Sequence, residues 1–254
     1  MTEFNEEELY CRGEKTLLAA WEEVSLGAPG SRVWRESGFA IAIFPNGPER
    51  SIYNNAILER NQGASERSAS VDAMEHAYAD AGVTHFAAWI HEGDGAMRED
   101  LEKRGYTFDS STRAMGMTVD DLRMPRPTIE FGALDWAAYS QLFGFPPGLF
   151  SATEQNTLHL VLARDGGENV ASAMAFDHEG DCGVFNVVTL EHARRRGLGS
   201  ALVALQLHDA FDRGCQTASL QSTPMAEGVY AAAGFRDLGR YLEFVPPQTE
   251  GTTI

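Results

Sequence analysis

Three consecutive arginines, Arg194, Arg195 and Arg196, stand directly before Gly197-Leu198-Gly199-Ser200. At that point an apolar run, Val187-Val188-Thr189-Leu190, gives way to a helical pattern. Each residue type has a use there. Glycine lets backbone amides approach a bulky anion, and the first turn of a helix carries unpaired N–H groups. The helix dipole adds partial positive charge at the same spot, which makes a phosphate cradle. The following helix has an apolar stripe of Leu198, Ala201, Leu202 and Leu205, widened by Leu207, Ala210 and Phe211; Gln206, Asp209 and Arg213 mark its expected wet face. The spacing excludes two other phosphate loops, since a dinucleotide fingerprint needs a third glycine and a Walker loop ends in Gly-Lys-Ser/Thr. Taken alone, an ordinary strand–turn–helix with solvated arginines remains open.

A second segment narrows the choice. The spacing Arg194-x-x-Gly197-x-Gly199 resembles the coenzyme A pyrophosphate loop of the GNAT superfamily of N-acetyltransferases. Leu220 to Phe235, with Thr223, Tyr230 and Gly234-Phe235, looks like that family's next block: a strand, a short helix carrying a tyrosine, then Gly-Phe. The resemblance covers about residues 128–245. It implies an α/β (α+β) fold, a mixed and mostly antiparallel sheet flanked by helices with a splayed central strand pair. It also implies acetyl-coenzyme A as co-substrate, with no metal. Val187, Val188 and Thr189 would then hold the pantetheine arm and thioester. The amides of Arg195, Arg196, Gly197, Leu198, Gly199 and Ser200 would take the pyrophosphate, aided by arginine side chains that include Arg194. Tyr230 would be the general acid, giving a proton to the departing thiolate. Thr223 would contact pantetheine or, more in keeping with Pro224 after it, cap the short helix. The general base is not identified. Asp177-His178-Glu179 reads as a charged turn, and the direction of Glu191 and His192 is open. Cys11, Cys182 and Cys215 have nothing visible to lower a thiol pKa.

The elements that must position these residues are expected twice. Residues 5–26 read as a helix with Leu9, Leu17, Leu18, Trp21 and Val24 inward. Strands are expected at 39–44 and 52–58, a helix at 64–81, a strand at 85–90, a helix near 96–104 and an extended stretch at 106–117. A helix at 135–143 opens the second half. Strands at 169–176 and 182–190, a helix at 198–213, a strand at 216–221, a helix at 224–233 and a strand at 235–245 complete it. Gly82 matches Gly214 and Gly105-Tyr106 matches Gly234-Phe235, which points to a tandem fold. The prolines of Met124-Pro125-Arg126-Pro127 suggest a boundary, giving domains 1–124 and 125–245 and a tail at 246–254. In the first copy the loop Arg60-Asn61-Gln62-Gly63-Ala64-Ser65 lacks the second glycine, and Leu101 stands where Tyr230 does. The first copy therefore reads as degenerate.

Bulk properties bound the rest. The 254 residues are 43% hydrophobic and 10% aromatic, which suits two globular cores. The net charge of −17 argues against nucleic acid as a partner. Residues 1–124 hold 12 basic and 22 acidic side chains, and the remainder only 8 basic ones, three of them Arg194–Arg196. An acidic N-terminus, three scattered cysteines and no long apolar run suggest a cytoplasmic protein off the membrane, as monomer or homodimer. The expected activity is acetyl transfer to a primary amine of a small molecule by direct attack in a ternary complex. A protein amine as acceptor, or a non-catalytic coenzyme A sensor, are the alternatives.

Overall fold

Asn5 starts the first helix, α1 (Glu6–Ser25), by a reciprocal capping box: its side chain accepts from the Glu8 amide at 2.9 Å while the Glu8 carboxylate accepts from the Asn5 amide at 2.9 Å. The computed structural model describes residues 4–47, 53–132, 135–145 and 157–247. After α1 come β1 (Arg32–Glu36), β2 (Phe39–Ile43), β3 (Asn55–Leu58), α2 (Ala64–Asp80), β4 (Ala87–His91), α3 (Gly95–Lys103) and β5 (Thr107–Thr118). The second half runs α4 (Trp136–Phe143), β6 (Leu158–Asp165), β7 (Glu168–His178), β8 (Asp181–Thr189), α5 (Leu198–Asp212), β9 (Thr217–Ser222), α6 (Glu227–Ala233) and β10 (Arg236–Val245).

Two compact units form, and each has the same strand pattern. The first, Ala28–Thr112 with Gly239–Ile254, orders its strands β1-β2-β3-β4-β10. The second, Met1–Gly27 with Arg113–Leu238, orders them β6-β7-β8-β9-β5. In both, the third and fourth strands are parallel and the other paired neighbours antiparallel. This is the expected mixed, mostly antiparallel sheet. The repeat is also local: Gly82 and Gly214 have φ of +68° and +103°, and Gly105 and Gly234 have +86° and +119°, all left-handed positions after a helix.

The units differ from the division expected at 124/125. The last strand of each half pairs within the other unit: β10 with β4 through Tyr241↔His91 to Phe244↔Ala88, and β5 with β9 through Arg113↔Ser222 to Thr118↔Thr217. Helix α1, read with the first half, packs on β7, β8 and β9 of the second unit. A linear reading cannot see this, because strand partners are chosen by matching faces and not by chain order. Most of the tail, 248–254, lies outside the described residues.

Packing explains the elements. In the first unit α2 and α3 set Val71, Met74, Tyr78, Met97 and Leu101 against Ile41, Ile43, Ala88 and Ile90. In the second, α5 sets Val203, Leu207 and Ala210 against Cys182, Val184, Ala218 and Leu220. Gln206, expected on the wet face of α5, is buried instead. Its amide donates to the His159 and Ala173 carbonyls at 2.5 and 3.2 Å, so it ties the helix to β6 and β7. On the opposite sheet face, α1 lies close enough that two glycines are required. A Cβ on Gly13 would come within 2.8 Å of the Ser219 Cβ, and one on Gly183 within 2.8 Å of the Thr16 Cγ2. Beneath α1 the Asp181 carboxylate, 2% exposed, accepts from Thr217 Oγ1 at 2.7 Å and Ser219 Oγ at 2.6 Å. The Thr217 hydroxyl in turn accepts from Arg12 Nε at 2.9 Å.

The α1 contact makes a prediction. Valine at position 13 improves helix propensity slightly but overpacks Ser219, whose hydroxyl is committed to Asp181. Gly13→Val should cost about 1–3 kcal/mol in denaturant titration; a variant as stable as the parent would contradict the contact.

Candidate active site

Strands β8 and β9 touch only at one end. Their parallel register covers Asp181↔Thr217, Cys182↔Ala218 and Gly183↔Ser219, although β8 continues to Thr189 and β9 to Ser222. Beyond Gly183 the two strands are not paired, so the pair is splayed as expected. A bulge helps. The β7 register jumps from Met174↔Phe185 to Ser172↔Val188, which puts an extra residue in β8, and Asn186 takes φ +49° there. Val187, Val188 and Thr189 are half-buried on this open stretch. Ligand crevices in such sheets lie beyond the carboxyl ends of parallel strands.

The loop after β8 turns sharply into α5. A short 3₁₀ turn, Glu191–Ala193, leads to Arg194 in extended conformation, then Arg195 at φ +63° and Gly197 at φ +78°. Gly197 is the N-cap of α5, no side chain caps the helix, and its first turn holds no acidic residue. The left-handed φ at Gly197 needs glycine. Gly199 does not: its φ is not in that region, and an added Cβ would meet only Thr189 Oγ1 at 3.6 Å and Val187 Cγ1 at 3.8 Å, which is ordinary contact. The fold alone would therefore accept alanine there. Glycine at 199 leaves room between the first turn of α5 and the open stretch of β8. The structure thus brings together Val187, Thr189, Gly197, Gly199 and the half-buried Leu198 and Ser200.

The arginines differ from one another. Arg194 Nε donates to the Thr189 carbonyl at 3.1 Å, which braces the loop on the end of β8. Arg196 forms a bidentate pair with Asp165, its Nη2 2.9 Å from Oδ1, so its charge is already matched. Arg195 is exposed and has no side-chain partner among the described residues. Sequence reading gave all three equal weight, because it could not place Asp165 on a strand it did not expect.

Tyr230 lies on α6 in the apolar cluster that holds Val184 of β8 and has Val187 packed against it. Its ring meets Phe235 edge-on at 6.0 Å between centroids. Burial pushes its phenol up to about 12. Thr223 is exposed, and α6 begins later than expected: its N-cap is Ala226, with no side-chain cap bond, so Thr223 does not cap it. The Thr223 carbonyl accepts from the Ala226 amide in the preceding turn at 3.0 Å.

The other candidates separate. Asp177, His178 and Glu179 form the β7–β8 hairpin end, with Glu179 at φ +47°. The Asp177 carboxylate takes Arg213 Nε and Nη2 at 2.6 and 2.9 Å and has His159 Nε2 at 3.6 Å. Partial burial alone would push this carboxyl up, but the nearby His159 imidazole and the hydrogen bonds from Arg213 outweigh it and hold it well below the usual carboxylate range. Glu191 and His192 are exposed on the 3₁₀ turn. Burial pushes the Cys182 thiol up and the Cys215 thiol up to about 12, the reverse of a reactive cysteine. Among the described residues no group of His, Cys, Asp and Glu side chains could hold a metal ion, and no helix is long and apolar enough to cross a membrane.

The first unit offers the same strand–loop–helix with its end closed. Gly63 caps α2 in extended conformation, and its amide donates to the Glu66 carboxylate at 2.7 Å. Gln62 and Arg67 fill the neighbourhood. Gln62 Nε2 donates to the Gly38 and Glu59 carbonyls, and Arg67 donates to the Gln62 carbonyl and to Asp100. A carboxylate of the chain itself occupies the place of an anion.

Residues 119–235 match the family model described as Acetyltransferase (GNAT) family. No curated protein matches the sequence significantly. Among solved structures, a GCN5-related N-acetyltransferase from Kribbella flavida superposes with a TM-score of 0.70 at 18% identity, over 94% of this chain and 96% of that one. One from Sphaerobacter thermophilus gives 0.60 at 18% identity, over 86% and 84%. A tandem GNAT protein from the clavulanic acid biosynthesis pathway gives 0.58 at 11% identity, over 96% and 97%. These likenesses show the fold.

One electrostatic prediction concerns Asp177. Its folded pKa lies below the ~3.9 of an unfolded aspartate, so its contribution to stability is full at neutral pH and is lost as pH falls through the folded value. Asp177→Asn should be less stable than the parent at neutral pH. The gap should narrow from about pH 5 downward in thermal melts; a gap that is constant into acid would contradict the assignment.

Proposed function

We propose that this protein, whose residues 119–235 match the acetyltransferase (GNAT) family model, is an N-acetyltransferase of that family that moves an acetyl group from acetyl-coenzyme A to a primary amine of a small molecule. The observation that carries the reading is the opening of β8 from β9 after Gly183, beside a helix start that no side chain caps. The amides of Arg195 through Ser200 would bind the diphosphate, with Arg195 free to add charge. The backbone of Val187, Val188 and Thr189, released from β9, would hold the pantetheine arm and orient the thioester carbonyl. Positioning and electrostatics supply the rate gain, with the amine attacking directly in a ternary complex.

Tyr230 fits the donor role in a particular way. A phenol at about 12 is neutral at pH 7, so it can donate a hydrogen bond to the sulfur as charge builds there. Full proton transfer to a free thiolate, whose conjugate thiol has a pKa of ~8.5, would be uphill. Desolvation acts on both partners, however. A coenzyme sulfur held in apolar surroundings would have its own thiol raised in turn, which narrows the gap to the phenol.

Two outcomes test the reading. Tyr230→Phe should lower turnover at least roughly tenfold in a thiol-release assay with acetyl-coenzyme A and a panel of amines, with coenzyme affinity near that of the parent. Gly199→Ala should raise thermal stability, by about 0.4–1 kcal/mol, while weakening coenzyme A binding in calorimetry roughly tenfold (~1.4 kcal/mol). Affinity that is unchanged in Gly199→Ala would remove the cradle. Coenzyme binding without thiol release with any amine would favour a non-catalytic sensor.

A further inference from the structure

Helix α6 carries Tyr230, yet little in its own sequence holds it. It has seven residues, a glycine at its second position and an alanine N-cap that provides no side-chain bond. So short a helix is unstable by itself. Its C-terminal end is fixed by packing: the Arg123 amide donates to the Ala233 carbonyl at 3.0 Å, and Gly234 lies so near the Asp121 carbonyl that a Cβ would be 2.0 Å from that oxygen. Its first residue, Glu227, is held otherwise. Arg113 Nε donates to the Glu227 carboxylate at 3.0 Å, and Arg113 Nη1 pairs with Asp237 at the start of β10. The Arg113 and Glu227 side chains are only 22% and 24% exposed, so this pair is more than a solvated surface contact. Arg113 also stands opposite Ser222, the last residue of β9, where the chain departs for α6.

We propose that Arg113 is a positioning residue for Tyr230: gripping Glu227, one helical turn before the tyrosine, it fixes α6 against β8 and β9. Arg113 belongs to β5, the last strand of the first half, and lies outside the family-matched segment 119–235. The first half thus supplies a working part to the unit that carries the cradle. The guanidinium fork matters because two carboxylates, on α6 and on β10, are held at once, which a lysine ammonium does less well. The inference rests on the reading of Tyr230 as the donor.

The test is a double-mutant cycle in the full chain, read as thiol release from acetyl-coenzyme A with the fastest amine of the panel. Arg113→Met should lower kcat roughly tenfold with little change in the coenzyme KM. In a Tyr230→Phe background the same change should alter kcat less than about twofold. Arg113→Lys, which keeps the charge, should fall between. Amide hydrogen exchange gives a second readout that needs no acceptor: in Arg113→Met, residues 227–233 should exchange faster while 198–212 stay as in the parent. An equal loss of kcat in both backgrounds, or unaltered exchange in α6, would overturn the proposal. A Tyr230→Phe enzyme as fast as the parent would instead defeat the donor reading, and with it the catalytic purpose of the pair. Exchange in α6 would still tell that case from a failure of Arg113 to hold the helix.

Discussion

The structure depends on a parallel strand pair that is tied at one end and free at the other. Asp181, Cys182 and Gly183 pair with Thr217, Ala218 and Ser219, and there the ladder stops. Buried backbone groups are almost always hydrogen-bonded, so an open strand pair must either meet solvent or await a partner. The half-buried Val187, Val188 and Thr189 are in that position. The tied end has to be strong for the other to stay open in one geometry. Asp181 bridges to both Thr217 and Ser219, and α1 presses on the Gly183↔Ser219 pair through Gly13 and Thr16. On the other face Gln206 fixes α5 to β6 and β7, which sets where the first turn of α5 comes relative to the opening.

Two copies of one topology have been given different ends. Both units carry antiparallel strands, one parallel step and a helix that leaves the third strand. In the second unit that helix begins at a left-handed glycine with no capping side chain. In the first, Glu66 reaches back to the Gly63 amide, and the dipole at the start of α2 is answered internally. The start of α2 therefore differs from that of α5 in its backbone conformation, in the Glu66 carboxylate at the third helical position and in the Gln62 and Arg67 side chains around it. The exchange of β5 and β10 means that neither half of the chain completes a unit by itself.

Much of this was legible in the sequence. The glycine pairs 82/214 and 105/234 and the apolar run into Arg194–Gly199 carry strong local signals, and the structure bears out the repeat and the splayed pair there. The short strands β1 and β6 were not expected. β1 is mostly polar and exposed, and β6 mixes His159, Arg164 and Asp165 into its apolar alternation. Missing β6 hid the Asp165 partner of Arg196 and the carbonyl that buries Gln206. Arg113 and Glu227 lie 114 residues apart, and no local pattern announces such a pair. The exchanged strands escaped for the same reason, since a linear boundary at Pro125-Arg126-Pro127 assumes that neighbours in sequence are neighbours in the sheet.

The central claim is that main-chain donors at the start of α5, and not those at the start of α2, hold the diphosphate of an acyl carrier. The most direct measurement is a crystal structure of the protein soaked with coenzyme A. The account predicts diphosphate oxygens within hydrogen-bond distance of amides between Arg195 and Ser200, with the pantetheine arm running beside Val187 to Thr189. A diphosphate bound at Gly63 to Glu66, or held by arginine side chains away from the α5 amides, would contradict it.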